Sequence, residues 1–417
     1  MADVQPLLAL HYDLSRVGGL QPVAAPPYDV IDADQRAALV ARSPYNVVEI
    51  DLPRDGGDPY AHAADVLRSW TADGIVVRDA EPALWALAQD YTGPDGQART
   101  RHGVFARVRV EDYGAGRIRP HERTHPGPKE DRLRLTRATR ANLSPIFSLY
   151  DDPAGAAWGA LAPHLSSRPW GELTDEDGTR HRLWRVTEPA ALERFRDALK
   201  GVELLIADGH HRYETARVYA QEPGAPPGAD HVLMCLVALQ DPGLTVFPTH
   251  RLVTDLDDAG RAALRAAIAR DWHVTPADRL EPEPGDAVRI GYYDGGTPQL
   301  LTLKDPAIAA AALPDKPEPY RKLDTAVLEA LILEGALGMT EDDISHLHGL
   351  DYARTAEQAR ERVDAGSADA AFFMAPTPVS QVRDVAAAGE NMPPKSTFFY
   401  PKVLTGMVFN PLEERWP

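Results

Sequence analysis

A carboxylate, a glycine, two imidazoles and a guanidinium stand in a row at Asp208-Gly209-His210-His211-Arg212. Asp208 can hold a magnesium ion through water, and Arg212 can clamp a phosphate. Gly209 can adopt backbone angles that other residues resist, so chain and ligand can approach closely there. The apolar run Leu204 to Ala207 has the length of a buried strand, and a helix-compatible run follows from Tyr213 toward Ala220. The N–H groups at the start of such a helix face an anion. The turn therefore reads as a polar ligand site for phosphate. The plain alternative is a polar turn with a salt-bridged Arg212.

Other stretches carry reactive groups. His121-Glu122-Arg123-Thr124-His125 formally matches the zinc-protease pattern His-Glu-x-x-His. That chemistry needs both histidines one turn apart on a helix, with the glutamate beside a zinc-bound water. Pro120 precedes the pattern and Pro126-Gly127 follows it, so no supporting helix is expected. A histidine–carboxylate pair in a ligand-binding loop is the better reading, with Glu122 accepting a proton. Lys129, Arg132, Arg134, Arg137 and Arg140 then concentrate positive charge. Lys129 and Arg132 lie three apart and can share a helix face toward phosphate oxygens. For Arg134 and Arg137, pairing with the acidic surface is nearly as good an account. Pro26-Pro27 fixes an extended backbone that displays Tyr28 and Asp29. Pro248-Thr249-His250-Arg251 reads as a second polar strand terminus, and Lys395, after Pro393-Pro394, can close a pocket. There is neither a Gly-x-x-x-x-Gly-Lys-Ser/Thr phosphate loop nor a dinucleotide Gly-x-Gly-x-x-Gly fingerprint.

The elements that must position these groups alternate between strand and helix. The fold class expected is α+β, with a mixed-sheet core and additional α+β regions. Strands are expected at Asn46–Asp51, Ile146–Tyr150, His231–Leu239 and Ala371–Met374, and a hairpin over 101–122. Helices are expected from near Lys129, over Asp324–Glu334 and over Tyr352–Gly366. A composition change places one region at 1–252, with most polar motifs, and a second at 253–417, whose C-terminal segment returns to the site. The 417 residues carry a net charge of -18, which repels nucleic acid and anionic membrane. One cysteine, Cys235, excludes an intrachain disulfide framework. No stretch has the length of a transmembrane helix, and Met1 to Gly19 lacks the pattern of a signal peptide, so a cytoplasmic protein is expected.

The chain resembles a bacterial and archaeal family known only as domain of unknown function 1015, over nearly its whole length. The marks are Pro26-Pro27-Tyr28-Asp29-Val30, His121-Glu122-Arg123-Thr124 with Gly127 to Arg132, Asn142 to Phe147, Ala207 to Tyr213, Pro248 to Arg251 and Met392 to Thr397. The segment Asp208 to Arg212 is also similar to the signature of the ParB/sulfiredoxin superfamily, which includes CTP-binding partition proteins, sulfiredoxins and free-serine kinases. A sulfiredoxin needs a cysteine at the turn, and a partition protein needs a DNA-binding helical module and a more basic surface; neither is evident here. The resemblance implies that Gly209, His210, His211 and Arg212 line a phosphate pocket in a strand–turn–helix element. It implies a nucleotide-dependent phosphotransferase for a small hydroxylated metabolite, such as free serine, using ATP or ADP with Mg2+. Glu122 is then the first candidate base and Asp29 the second, with His121 and His211 beside them. Asp208, Gly209, His210, Arg212, Lys129, Arg132, Arg251 and Lys395 would hold the nucleotide, and Asp208 the metal. The alternative is a non-catalytic nucleotide-binding regulator. The oligomeric state stays open, a homodimer included.

Overall fold

Apolar runs without alternation, such as Val232–Val237 and Ile146–Tyr150, fit strands covered on both faces. In the structure, a computed structural model describing residues 2–54, 57–93, 96–121 and 126–413, both runs are buried throughout. The chain is mixed α+β and divides into two units. The first takes residues up to Pro120, then the helix at Pro126 through Thr245, and finally the stretch from Pro401; the second takes Val246–Tyr400 with His121. The units therefore part at 245/246 rather than at 252/253, and the tail after Pro401 belongs to the first.

The first unit is built on β1 (Leu84–Thr92), β2 (Ala98–Arg109), α1 (Pro126–Thr139), β3 (Ile146–Tyr150), β4 (Arg180–Val186), β5 (Leu204–Asp208), α2 (His210–Ala220) and β6 (His231–Ala238). Its sheet has nine strands, with the central order β5-β3-β6-β2-β1-β4. Residues 118–119 pair with β5 in parallel, as β6 does with β3, while β1, β2 and β4 pair antiparallel. The core beneath includes Phe195, Ile206, Met234 and Leu236.

The hairpin expected over 101–122 does not form. Both edges of β2 are occupied, by β1 and β6, so Ile118-Arg119 joins the sheet beside β5 instead. The strand expected at Asn46–Asp51 is also replaced, by a short helix at Val48–Asp51. The Asn46 amide is the reason. Its oxygen accepts from the Val48 N–H at 3.2 Å, while its nitrogen donates to the Pro22 carbonyl at 2.9 Å. This side-chain turn overrides the strand preference of the two valines.

The second unit carries β7 (His250–Val253), β8 (Trp272–Pro276), β9 (Arg289–Tyr293), β10 (Gln299–Leu303), β11 (Leu350–Ala353) and β12 (Ala370–Phe373) in one sheet of order β8-β10-β9-β12-β7-β11. Every pairing in it is antiparallel. The helix expected over Tyr352–Gly366 is split, because β11 runs to Ala353. Thr355 then caps a helix over Ala356–Asp364 by accepting from the Gln358 N–H. The helix at Asp324–Leu328 continues as a π-helical turn over Glu329–Glu334. No described helix is long and apolar enough to cross a membrane.

Asp324 opens that helix, and burial pushes its carboxyl up to about 7 against the pull of the Arg289 backbone hydrogen bond. A raised native value means that the native state holds the proton more tightly than the unfolded chain does. Its stabilising effect is complete below about pH 4 and fades as pH rises through 7. Asp324→Asn abolishes this titration. The stability difference between variant and parent, from denaturant curves, should swing toward the variant by about 4 kcal/mol between pH 4 and pH 8, the free energy of about three pKa units. A difference independent of pH would contradict the assignment.

Candidate functional site

β5 ends at Asp208 and α2 begins at His210, so the turn is Gly209 alone, with φ at 95°. The helix starts three residues earlier than its apolar pattern predicts. His210, His211 and Arg212 are therefore its first turn rather than a loop. No side-chain oxygen caps this helix end. His210 is buried and His211 half-buried.

Arg212, expected as a solvent-facing clamp, instead turns inward and is 9% exposed. Its Nη2 donates to Asp208 Oδ2 at 2.8 Å, and its Nη1 donates to the Pro145 carbonyl. Its Nε is buried without a hydrogen-bond partner among the described residues. A Cβ on Gly209 would stand 2.9 Å from that Nε. The plain alternative weighed above, a salt-bridged Arg212, matches this geometry.

The other Asp208 oxygen accepts from Lys402 Nζ at 3.2 Å. Burial alone would raise the Asp208 carboxyl, but Lys402 and Arg212 outweigh it and hold the group well below the usual carboxylate range. The same arrangement disqualifies Asp208 as the expected magnesium ligand. Two cations already pair with its oxygens, and a metal ion placed there would meet the repulsion of both. Among the described residues, no group of three or more His, Cys, Asp or Glu side chains is placed to hold a metal ion.

Beside this pair lies a second buried cluster. Arg132 reaches from α1 to the Asp51 carbonyl at 2.7 Å and to Asp51 Oδ1 at 3.3 Å, and its Nη2 lies 2.7 Å from Asp131. Ser144 donates to Asp51 Oδ2 at 2.7 Å and meets the Thr405 hydroxyl at 3.0 Å. Burial pushes the Asp51 carboxyl up against the pull of Arg132 and Ser144. The Tyr28 ring lies 4.0 Å from the Arg132 guanidinium carbon and 5.9 Å from that of Arg212. Burial lifts its phenol to about 12. Arg132 is thus a packed strut, not the open phosphate ligand its spacing predicts. Lys129 is half-buried, and its carbonyl accepts from Thr215 on α2. Arg134, Arg137 and Arg140 pair with Glu130, Glu222 and Glu413, as an acidic surface invites.

A cavity of about 40 Å³ lies among Asp51, Arg132, Ser144, Arg212 and Thr215. That is room for water, far below the ~300 Å³ or more of a metabolite pocket. Asp29, next to Tyr28, is exposed and makes no hydrogen bond or ion pair among the described residues. Its charge is nevertheless felt at Tyr28, Asp51 and Arg212.

The remaining expected site residues fall in the second unit or outside the described residues. Glu122 and His125 lie outside them. α1 begins only at Pro126, beyond the His-Glu-x-x-His pattern. His121 is buried, its Nε2 is 2.8 Å from the Thr397 hydroxyl, and its carbonyl accepts from the Met392 N–H. Arg251 sits inside β7 rather than at a strand terminus. It donates to the carbonyls of Thr249 and Pro394, and burial lowers its pKa. Lys395 is exposed, with φ at 57°, a left-handed conformation rare outside glycine. Within the second unit, His121, Arg251 and Lys395 thus meet along the stretch Met392–Thr397.

Sequence reasoning missed Lys402, Asp51 and Ser144. Lys402 follows a proline in an aromatic tail and gave no signal. Asp51 was hidden in a supposed strand. Ser144 stood within the Asn142–Phe147 mark, which could have flagged it.

The chain belongs to the family described as "Protein of unknown function (DUF1015)", whose model matches residues 4–326. No protein of curated function matches it. Distant likenesses occur among solved structures. A conserved hypothetical protein from Pyrococcus furiosus is 14% identical, with TM-score 0.36, covering 71% of this chain and 90% of that one. A free serine kinase in complex with AMP is 15% identical, with TM-score 0.37, covering 71% and 86%. SbnI with a C-terminal truncation, from Staphylococcus aureus, is 14% identical, with TM-score 0.37, covering 74% and 87%.

Proposed function

We propose that the chain is a nucleotide-dependent phosphotransferase for a small hydroxylated metabolite, free serine being the first acceptor to test. The phosphates of ATP or ADP are proposed to lie at the start of α2. One observation carries this reading: a buried strand ends in a single left-handed glycine, followed directly by an eleven-residue helix without a side-chain cap. An anion placed there meets backbone N–H groups and the positive end of the helix dipole. Lys402, fixed beside Asp208, adds an ammonium at the same place.

In the proposed reaction the acceptor hydroxyl oxygen attacks the terminal phosphorus. The bond from that phosphorus to the bridging oxygen breaks, and the nucleotide leaves one phosphate shorter. The hydroxyl proton passes to a carboxylate. Asp29 is the described candidate for that base, because among the described residues it makes no hydrogen bond or ion pair; Glu122 is the other. His211 is proposed beside the base, and Gly209, His210 and Lys129 around the anionic groups of the substrates. Magnesium is proposed to arrive on the nucleotide's own phosphates, since Asp208 is closed to it.

The second reading, a nucleotide-binding regulator without turnover, has an observation of its own. The guanidiniums of Arg132 and Arg212 are engaged in internal pairs, which leaves fewer cations to stabilise a transferring phosphoryl group. The test is to incubate the purified chain with ATP or ADP, with and without Mg2+, against a panel of hydroxyl amino acids. Mass spectrometry then looks for a phosphorylated product. One phosphorylated acceptor is expected. Nucleotide binding with no product favours the regulator, and absence of nucleotide binding removes both readings.

A further inference from the structure

Three strands of the first sheet place polar residues directly opposite one another. His181 on β4 stands across from Gln89 on β1, and Gln89 stands across from Arg101 on β2. All three are at most 1% exposed. Such a row is costly in a sheet core, where apolar residues of the same shape would pack at no desolvation cost. The row is also directional. Arg101 Nε donates to Gln89 Oε1 at 3.0 Å, and Gln89 Nε2 donates to the Lys402 carbonyl at 2.9 Å. Gln89 Nε2 also lies 3.2 Å from His181 Nδ1, while His181 Nε2 lies 2.8 Å from Asp175. Burial lowers the His181 pKa despite Asp175, so the ring is neutral and its Nδ1 accepts. The Arg101 guanidinium rests 4.6 Å over the Phe147 ring of β3.

We propose that Gln89 and Arg101 are positioning residues: they hold the Lys402 backbone so that its ammonium reaches Asp208 at the start of α2. The functional value of this placement rests on the phosphate reading above; the placement itself does not. Arg101 locks the orientation of the Gln89 amide by holding its oxygen. The amide nitrogen is then committed to Lys402 and His181.

Gln89→Glu tests it. That substitution keeps the oxygen Arg101 needs and replaces the N–H that holds Lys402 with a second oxygen. The parent and variant full-length chains are compared by thermal melting, by carbon NMR of the Asp208 carboxyl against pH, and by ATP titration. A folded variant is expected, with Asp208 titrating at higher pH than in the parent and ATP affinity weakened about tenfold. The double variant Gln89→Leu with Arg101→Met replaces both positioning residues with apolar groups of similar shape and should shift both readouts the same way, which covers the case in which the single variant does not fold. Unchanged Asp208 titration in a folded variant overturns the proposal. A parent that binds no ATP removes the phosphate reading alone, because the Asp208 titration still decides whether the row positions Lys402.

Discussion

Arg212→Ala is expected to cost the fold about 3–5 kcal/mol, the range for removing one partner of a buried ion pair. Arg212 is 9% exposed, bridges Asp208 to the Pro145 carbonyl, and thereby links the end of β5 to the chain entering β3. Alanine would strip Asp208 of one of its two cations and leave the carbonyl unmatched. Reading Arg212 as an open clamp leads to the opposite expectation, lost phosphate binding with folding intact. Denaturant unfolding of Arg212→Ala and Arg212→Lys separates the two. A loss below about 1 kcal/mol, typical of an exposed ion pair, would show that the guanidinium is not structural.

Gly209→Val carries the second large effect, on binding as well as folding. A β-branched residue at φ 95° is strained by about 1–2 kcal/mol before any contact is counted. Its Cβ would also come within 2.9 Å of Arg212 Nε. Arg212 is held at both Nη atoms, so it cannot swing away without losing Asp208 or Pro145. ATP affinity should fall at least about tenfold as the start of α2 is displaced. Gly209→Asn is the control, since asparagine tolerates left-handed backbone better. If both variants keep parental ATP affinity, the α2 terminus is not where phosphate binds.

Much of the sheet was legible because its strands are apolar on both faces. Ile146–Tyr150 and the run from His231 could hardly be read otherwise; the first is a fully covered strand and the second is covered from Val232 to Val237. The errors arose where a side chain or a neighbouring strand outvoted local pattern. Asn46 turned a hexapeptide with strand-forming valines into a helical turn, and Thr355 set the start of a helix that periodicity placed earlier. Of the candidate site, the motif at 208–212 was legible from composition, but which way its side chains face was not. A helix beginning at His210 rather than Tyr213 rotates Arg212 into the core, and three residues of register decide that. Lys402 was invisible for a different reason: its contacts with Gln89 and Asp208 lie 313 and 194 positions away along the chain.

The tail after Pro401 has a consequence for biosynthesis. Thr405 exchanges backbone hydrogen bonds with Ala25, Phe409 with Leu10, and Asn410-Pro411 pairs with Ala141-Asn142. These closures join early and late stretches of the first unit, so a ribosome must have made the chain through Pro411 before that unit can be completed. The second unit, nearly continuous from Val246 to Tyr400, faces no such wait. During translation the earlier-made unit is therefore the later one to finish, and in the interval the surfaces awaiting the tail are the ones a chaperone would have to shield.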